Sequence, residues 1–326
     1  MRFLPLEKYA KILKYISTNF IRKEAIYPFY ASFKITHKCN FRCKFCNVWK
    51  ENVPDVPKED VKKVLDNIGE SSILLLSFEG GEPLLREDIG ELLKYAHTKP
   101  FYILFTTSER KLESYPMDDY GKYIDFLHIS IDEGHHNISL YDRLENFKSW
   151  GDYVLAVQIV VSKDDLSKLE KKIEKCYQAG AKAVVMPAVH LPNTDNYLPN
   201  IEKFRDITLA LKEKYPNTIT TPYTYLKNIT NLHACSASSI IIDSDCGLFY
   251  PCRTLGKKPI NLLRQKLNDF LLTKTAEECR EEMRNCNKHC LWYQYFATDS
   301  YTSLGEVISA LRPHLSWILR GRKASC

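Results

Sequence analysis

Three cysteines follow the first apolar run of the chain within eight positions. Cys39, Cys43 and Cys46 form the spacing C-x3-C-x2-C in the segment ITHKCNFRCKFCNVWK, residues 35–50. This compact spacing lets three thiolates converge on one metal centre, and sulfur ligands favour iron–sulfur clusters or zinc. His37 is available as a fourth ligand for a zinc knuckle. A closed tetrahedral site needs four ligands, so three thiolates alone predict an iron site with one position open to an exogenous ligand.

Four further thiols are placed for a second metal site. They are Cys235, Cys252, Cys286 and Cys290. Four thiolates can close either a [4Fe–4S] site or a zinc site. The first two are predicted to bracket a hairpin, and the last two to lie one helical turn apart. Cys246 and Cys279 are alternative ligands, or else small buried apolar residues.

The elements that must position these thiols alternate between strand and helix. Short β-branched or aromatic-rich segments are separated by helical ones. The strand-like segments cover residues 29–36, 72–80, 101–107, 125–132, 153–162 and 182–189. Six β/α units in sequence require parallel strands with crossover helices. The fold class is therefore predicted to be α/β, a partial (β/α)6 TIM-type barrel, with functional residues at the carboxyl ends of the strands.

The chain is predicted to have four parts. Residues 1–28 form an amphipathic helix, 29–228 the barrel, 229–295 a small metal-binding domain, and 296–326 a basic helical tail. Residues 1–24 carry six basic and two acidic residues, and residues 307–326 carry four basic and no acidic ones. The N-terminal helix is expected either to pack on its own fold or to lie on an anionic membrane surface. The tail is interpreted in the same way.

With its cysteines and two further motifs, the sequence resembles the radical S-adenosylmethionine (SAM) superfamily. In that family C-x3-C-x2-C holds a [4Fe–4S] cluster whose unique iron is chelated by SAM. The reduced cluster cleaves SAM to methionine and a 5′-deoxyadenosyl radical, which abstracts a hydrogen atom from a C–H bond. The segment FEGGEPLLR, residues 78–86, matches the family's GGEP motif. The segment HISIDEG, residues 128–134, lies where the family contacts the SAM ribose. The resemblance covers roughly residues 29–295.

The resemblance implies SAM-binding roles for residues near these motifs. They are Phe45, Gly80, Gly81, Glu82, Ser130 and Asp132. Phe45 matches an aromatic position that lies against the adenine, and Glu82 is expected to accept hydrogen bonds from the methionine ammonium. The glycines let the backbone approach the ligand. Structural alternatives stay open for Glu82, as a surface acid, and for Asp132, as a loop acid or helix N-cap. His135 and His136 are expected to be exposed loop residues, with proton transfer as the alternative role.

The second group of cysteines looks like the auxiliary-cluster domain of the twitch and SPASM subfamilies. The segment DCGLFYPC, residues 245–252, carries that pattern. The resemblance implies one auxiliary [4Fe–4S] cluster, with zinc as the alternative. A non-enzymatic iron–sulfur electron carrier is disfavoured, because it would need neither GGEP nor a six-unit barrel.

Composition indicates the cellular compartment of the protein more clearly than its substrate. Eleven cysteines without a continuous apolar leader indicate reduced thiols and a cytoplasmic protein. No apolar run approaches the ~20 residues that span a bilayer. Basic, apolar ends suggest peripheral membrane contact, so a lipid or isoprenoid amphiphile is the leading substrate class. Peptide or protein maturation and a small molecule (sugar, porphyrin or cofactor precursor) remain alternatives; nucleic acid is disfavoured. The resemblance also implies a one-electron donor such as a flavodoxin or ferredoxin.

Overall fold

One continuous nine-stranded sheet organises the chain in this computed structural model, which describes residues 2–189, 191, 197–231, 235–288 and 290–297. The first six strands are β1 Tyr30–Thr36, β2 Leu75–Gly80, β3 Tyr102–Thr107, β4 Phe126–Ser130, β5 Val154–Val161 and β6 Lys182–Pro187. They pair in sequence order and all run parallel. The predicted six-unit α/β architecture is confirmed, and each strand lies within the segment predicted for it.

Helices connect the strands and cover the outer face of the sheet. The α-helices are α1 Leu6–Arg22, α2 Lys58–Glu70, α3 Ile89–His97, α4 Met117–Tyr120, α5 Leu144–Phe147, α6 Leu169–Gln178, α7 Ile201–Lys214, α8 Tyr223–Asn228, α9 Leu267–Leu271, α10 Lys274–Arg284 and α11 Tyr293–Ala297. None of those described is long and apolar enough to cross a membrane. The tail predicted from residue 296 lies almost wholly outside the described residues.

The helix predicted over residues 140–150 is broken into short pieces. Only α5 is α-helical there, and tighter 3-10 turns flank it. Asn137 donates a hydrogen bond to the Ser130 carbonyl at 2.7 Å, and Tyr141 donates to the Ile131 carbonyl at 3.1 Å. These bonds hold the segment against the end of β4, which favours short, irregular winding over one regular helix.

The two faces of the sheet have different partners because strand side chains alternate. Phe33, Phe78 and Phe105 point outward and are fully buried against the helices. The residues at the alternate positions along each strand, such as Tyr30 on β1, point inward and line a cavity. The outer face therefore supplies the main core, while the inner face is left to line a site.

A hairpin extends the same sheet beyond β1. Strand β7 Ser239–Ile242 pairs with β1 in parallel, and β8 Gly247–Phe249 then pairs with β7 in the antiparallel sense. The short β9 Ile260–Asn261 completes the edge. The predicted hairpin is thus present, and it is joined to the barrel through main-chain hydrogen bonds. Cys235 and Cys252, which flank the hairpin in sequence, are consequently linked to β1, the strand that precedes the first group.

Candidate metal and cofactor site

A cavity of about 1430 Å³ occupies the inner face of the sheet. Inward-facing residues of all six parallel strands line it, and most of them are apolar. At the carboxyl ends of the strands its wall includes Cys39, Cys43 and Cys46. At the other end it reaches Ile12 and Phe20 of α1. Active sites of β/α barrels lie at the carboxyl end, so the three cysteines are at the expected position.

The three cysteines lie on the loop that leaves β1. A turn joins the Cys46 amide to the Cys43 carbonyl at 3.1 Å. Burial raises the pKa of the Cys39 thiol to about 11 and also raises the pKa of Cys46. Thiols of this kind are protonated at neutral pH, so metal binding must displace their protons. Among the described residues no three His, Cys, Asp or Glu side chains already surround a common metal position.

The two glycines of the GGEP segment bring its backbone against the cysteine loop. The Gly81 amide donates to the Thr36 carbonyl and the Glu82 amide to the Lys38 carbonyl, each at 2.8 Å. A Cβ on Gly80, whose φ is +144°, would lie 2.3 Å from the Thr36 oxygen, and one on Gly81 would lie 2.0 Å from the Lys38 oxygen. Larger residues are excluded at both positions because their side chains would clash with this backbone. The close contact also positions the loop that carries Cys39.

Glu82 is buried, so it is not a surface acid in a turn. Its carboxylate accepts hydrogen bonds from the Thr107 hydroxyl at 2.7 Å and from the Ser108 and Leu84 amides at 2.9 and 3.2 Å. Burial nevertheless raises the pKa of the Glu82 carboxyl to about 7. The end of β3 thus holds this carboxylate at the cysteine end of the barrel, where its charge acts on the Cys39 thiol.

Phe45, between the second and third cysteines, packs against the loop after β4. A Cβ on Gly134 would lie 2.0 Å from the Phe45 ring, which explains the glycine in HISIDEG. The ring of His135 lies edge-on to Phe45, with centroids 5.3 Å apart. Phe45, His135 and the three cysteines line the same cavity. A flat ligand such as a purine can therefore be bordered by Phe45 at this end.

The prediction that His135 is an exposed loop residue is wrong. His135 is buried, and its Nδ1 lies 2.8 Å from the Asp132 carboxylate. Burial alone would lower the pKa of His135, but the charge of Asp132 and a hydrogen bond with Cys43 raise it well above its ordinary value. The Asp132 side chain compensates for burial, which the sequence pattern did not reveal. The adjacent His136 is exposed, as predicted.

Asp132 and Ser130 lie together at the end of β4 but differ in their partners. Asp132 is fully buried and caps a 3-10 turn by accepting from the His135 amide at 3.0 Å. Its other oxygen accepts from the Val160 amide at 3.2 Å. Asp132 is thus the N-cap considered above. Ser130 lines the cavity, and among the described residues its side chain has only a long 3.5 Å contact, to Gln158. Of the two, Ser130 therefore has more capacity left for a ligand.

His37 is engaged away from the cysteines. Its Nε2 lies 2.7 Å from the Asp243 carboxylate at the end of β7. Lys34 donates to the same carboxylate at 3.2 Å, and Lys258 also pairs with it. Burial alone would raise the pKa of Asp243, but these partners hold it well below its ordinary value. This buried ionic cluster joins β1 to the hairpin and gives His37 a structural role instead of a place in a zinc knuckle.

Three cysteines of the second group, Cys252, Cys286 and Cys290, lie near one another beside the hairpin. Burial, and then the nearby charges of Cys290 and Cys286, raise the pKa of Cys252. Cys235 and Cys252 both act electrostatically on the buried Tyr295. Cys286 and Cys290 are not one helical turn apart as predicted, because α10 ends at Arg284 and both follow in irregular chain.

The two alternative ligands have other neighbours. Cys246 is fully buried, and the charges of Asp245, Asp60 and Arg86 act on its thiol. Cys279 lies on the buried side of α10 near Lys257 and Glu282. Neither thiol shares the surroundings of Cys252, so both suit the alternative prediction of small buried residues.

Two residues of the cavity wall were missed in the sequence. Glu79 directly precedes the glycine pair, and Arg253 directly follows Cys252; both line the cavity. The Arg253 guanidinium donates to the side chain of Asn47, next to Cys46, at 3.2 Å, and it lies over the Trp292 ring at 5.6 Å. Strand alternation signals an inward-facing Glu79. No local pattern places Arg253 between the two groups of cysteines.

Comparison with known families identifies the same region. The family model for the radical SAM superfamily matches residues 33–205. An S-adenosylmethionine-dependent nucleotide dehydratase of Lacinutrix mariniflava is 28% identical over 156 residues, which are 40% of this chain and 33% of that protein. A PqqA peptide cyclase of Bradyrhizobium diazoefficiens is 33% identical over 84 residues, 25% of this chain and 22% of that protein. The match thus spans about a third or less of the length of these relatives.

Solved structures share the fold over most of the chain. SuiB of Streptococcus suis bound to S-adenosylmethionine has a TM-score of 0.64 and 15% identity, covering 82% of this chain and 71% of SuiB. The protein anSMEcpe with bound AdoMet and a Cp18Cys peptide has a TM-score of 0.61 and 14% identity, covering 91% of this chain and 99% of that one. Identity this low shows a common fold alone.

Proposed function

Since this chain belongs to the radical SAM superfamily, we propose that it is an enzyme that cleaves SAM reductively and activates a C–H bond of its substrate. Members of this family use a [4Fe–4S] cluster and SAM. When bound, the cluster and SAM would supply the radical chemistry, with the electron coming from a donor such as a flavodoxin or ferredoxin. The observation that carries the proposal is that Cys39, Cys43 and Cys46 line one cavity with the glycine pair that precedes Glu82.

The residues at the carboxyl end of the barrel have the chemistry that these cofactors need. Cys39, Cys43 and Cys46 would ligate the cluster, leaving one iron position for SAM. Glu82, held by three donors, would accept from the methionine ammonium. Phe45 would border the adenine. Ser130 is better placed than Asp132 to contact the ribose, because Asp132 already caps a turn and pairs with His135.

A second [4Fe–4S] cluster is proposed for the cysteines beside the hairpin. Cys252 lies near Cys286 and Cys290. Cys235 and Cys252 both lie near the buried Tyr295. Four thiolates complete the coordination of such a cluster without an exogenous ligand. The region 229–295 is therefore proposed as a twitch- or SPASM-like domain that shares the barrel sheet.

The substrate is proposed to be a lipid or isoprenoid amphiphile. Below the cysteines, Leu104, Phe126 and Val154 make the barrel interior apolar, and the cavity continues to α1. Burial of an alkyl chain is favourable by about 0.8 kcal/mol per CH₂ group. The N-terminal helix beside this end leaves Leu13 and Phe20 about two-thirds exposed. A peripheral contact between this helix and a membrane would bring an apolar substrate to the cavity.

Peptide maturation is the second candidate. The sequence similarity to a PqqA peptide cyclase favours it. The first relative named above is a nucleotide dehydratase, which keeps a small polar molecule as an alternative. An extended peptide would need polar partners along its main chain, whereas most of the cavity wall away from the cysteines is apolar.

The proposal is tested by measuring 5′-deoxyadenosine from anaerobically reconstituted, chemically reduced protein with SAM. Replacement of Cys39, Cys43 and Cys46 by Ala is expected to abolish product formation while iron at the second site is retained. Lipid extract from the host and lipid-free soluble extract are then added separately. Stimulation by lipid supports the amphiphile, and stimulation by the soluble fraction alone contradicts it. Product from the triple variant would contradict the SAM chemistry itself.

A further inference from the structure

Glu79 places a carboxylate inside the barrel, just below the glycine pair. It is the last inward-facing residue of β2 before Gly80, and it lies opposite Lys34 of β1 in the strand register. Its side chain lines the cavity. The mechanism proposed above uses Glu82, which points toward β3, and leaves Glu79 without a function.

The hydrogen-bonding capacity of the Glu79 carboxylate is not used by the residues that the structure describes. In the described part of the chain its carboxylate makes no hydrogen bond and no ion pair within 4.0 Å. Lys34, its register partner, bonds to Asp243 at 3.2 Å instead. Burial raises the pKa of Glu79 to about 7, and the charges of Lys34 and Arg253 partly oppose this effect. Glu79 is partly buried in the cavity wall, so a ligand in the cavity can donate a hydrogen bond to its carboxylate.

A second unused polar group lies on the adjacent strand. Thr106 of β3 lines the cavity, and its hydroxyl is buried without a hydrogen-bond partner among the described residues. His128 of β4 is the register partner of Thr106 and also faces the cavity. Three neighbouring strands thus present a carboxylate, a hydroxyl and an imidazole above the apolar part of the interior.

We propose that Glu79 and Thr106 bind a hydroxyl group of an otherwise apolar substrate, with Glu79 accepting its hydrogen bond. A hydroxyl can donate to the carboxylate and accept from Thr106 at the same time. A carboxylate ligand would face the negative charge of Glu79. An ammonium ligand would approach Lys34 and Arg253, whose charges already act on this carboxyl. This inference rests on the proposed function, since it identifies the polar end of the proposed amphiphile.

Binding of three probes of equal chain length tests the inference. 1-Decanol, decanoate and decylammonium are titrated into anaerobically reconstituted protein with SAM at pH 8, where Glu79 is mostly ionised, and binding is followed by calorimetry. The wild type is expected to bind decanol most tightly. Glu79→Leu should weaken decanol binding by roughly tenfold or more, since hydrogen bonds to charged groups contribute strongly. Glu113→Leu, at an exposed carboxylate paired with Arg143, is the matched control.

A nearly isosteric variant keeps the test valid if Glu79→Leu folds poorly. Glu79→Gln retains an acceptor but loses the charge, so its preference for decanol over decanoate is expected to fall by roughly tenfold. Unchanged probe affinities in both variants, or tighter binding of decanoate or decylammonium by the wild type, would overturn the inference. 5′-Deoxyadenosine measured without a probe reports separately on the proposed function. Glu79-dependent binding without SAM cleavage would contradict only that function, and intact cleavage without such binding only this inference.

Discussion

At the scale of single residues, two glutamates have similarly raised pKa values but differ in the hydrogen-bond donors around them. The carboxyls of Glu82 and Glu79 both have pKa values raised to about 7. Glu82 is held by three donors from the ends of β2 and β3, whereas Glu79 has none in the described chain. A carboxylate fixed by surrounding donors is suited to orient a cationic cofactor group. One without donors is suited to bind a substrate.

The raised pKa of Glu82 predicts a pH-dependent affinity for SAM. The carboxylate attracts the methionine ammonium only when ionised, and the folded-state pKa is about 7. Affinity measured by equilibrium dialysis is therefore expected to fall by roughly tenfold between pH 8 and pH 6. Glu82→Gln should bind roughly ten- to a hundredfold more weakly at pH 8. It should also lose this pH dependence, and an equally steep dependence in the variant would assign the titration to another group.

At the scale of elements, α1 is fixed along one edge and exposed along the rest. Lys8 donates to the Ser71 carbonyl at 2.8 Å, and Ile12 is buried. The large apolar side chains with high exposure on or beside this helix are Phe3, Leu6, Leu13, Ile16, Phe20 and Ile21. The two expectations for this helix, packing on its own fold and lying on an anionic membrane surface, are therefore compatible. One edge packs on the fold, and another is available to contact such a surface.

Vesicle binding tests the exposed side of α1. Sedimentation with vesicles of phosphatidylglycerol and phosphatidylcholine is expected to retain the wild type at low salt and release it as salt rises. Leu13→Ser with Phe20→Ser should weaken binding by roughly tenfold or more, because each side chain would be buried in the interface. Tyr177→Ser, at an exposed apolar residue on α6, is the control. Equal loss in the control, or no loss in either, would rule out docking through α1.

The buried ionic cluster at Asp243 is the element-scale link between the barrel and the hairpin. Asp243→Asn keeps one carbonyl acceptor but removes the negative charge shared by Lys34, His37 and Lys258, and should cost about 3–5 kcal/mol of unfolding free energy in chemical denaturation. The folded-state pKa of Asp243 lies below its ordinary value. Its stabilisation is therefore present above its unfolded pKa and is lost only as the pH falls through the folded value, so the difference should persist across pH 5–8.

A neighbouring aspartate is the matched comparison for Asp243. Asp245 also pairs with Lys258, at 3.0 Å, but its side chain is 49% exposed. Asp245→Asn should cost no more than about 1 kcal/mol, since exposed ion pairs contribute little. Equal costs for the two variants would show that burial of Asp243 does not matter.

On the scale of the whole molecule, one sheet carries both groups of cysteines, the first on the loop after β1 and the second around the hairpin beside β1. The hairpin pairs with β1, whose following loop carries the first group. Arg253 follows Cys252, bonds to Asn47 beside Cys46, and lines the cavity between them. Any metal centres at the two groups are thereby held in a fixed relation to each other and to the cavity.

Iron content distinguishes the ligands of the second centre. Cys252→Ala and Cys286→Ala are each expected to lower the iron bound after reconstitution by about half, because one of two clusters would be lost. Cys279→Ala and Cys246→Ala should retain the iron content of the wild type, since their thiols have other surroundings. Iron loss in Cys279→Ala but not in Cys286→Ala would reverse this assignment.

The sequence alone determined what depends on local spacing and periodicity. C-x3-C-x2-C and GGEP predicted the chemistry, and the alternation of apolar segments predicted six strands in their observed order. These features are readable because a strand or a short motif involves residues close together in the chain. The breakdown of the helix over residues 140–150 was not readable, since it depends on Asn137 and Tyr141 bonding to the end of β4.

Tertiary structure decided what depends on partners distant in the chain. Asp132 and Cys43 surround His135, Asp243 engages His37 from 206 positions away, and Arg253 reaches Asn47 across the same separation. Burial and charge at these sites are set by packing between elements, so the residues themselves do not signal them. The continuous sheet is the physical reason, because pairing β7 with β1 places two remote segments side by side.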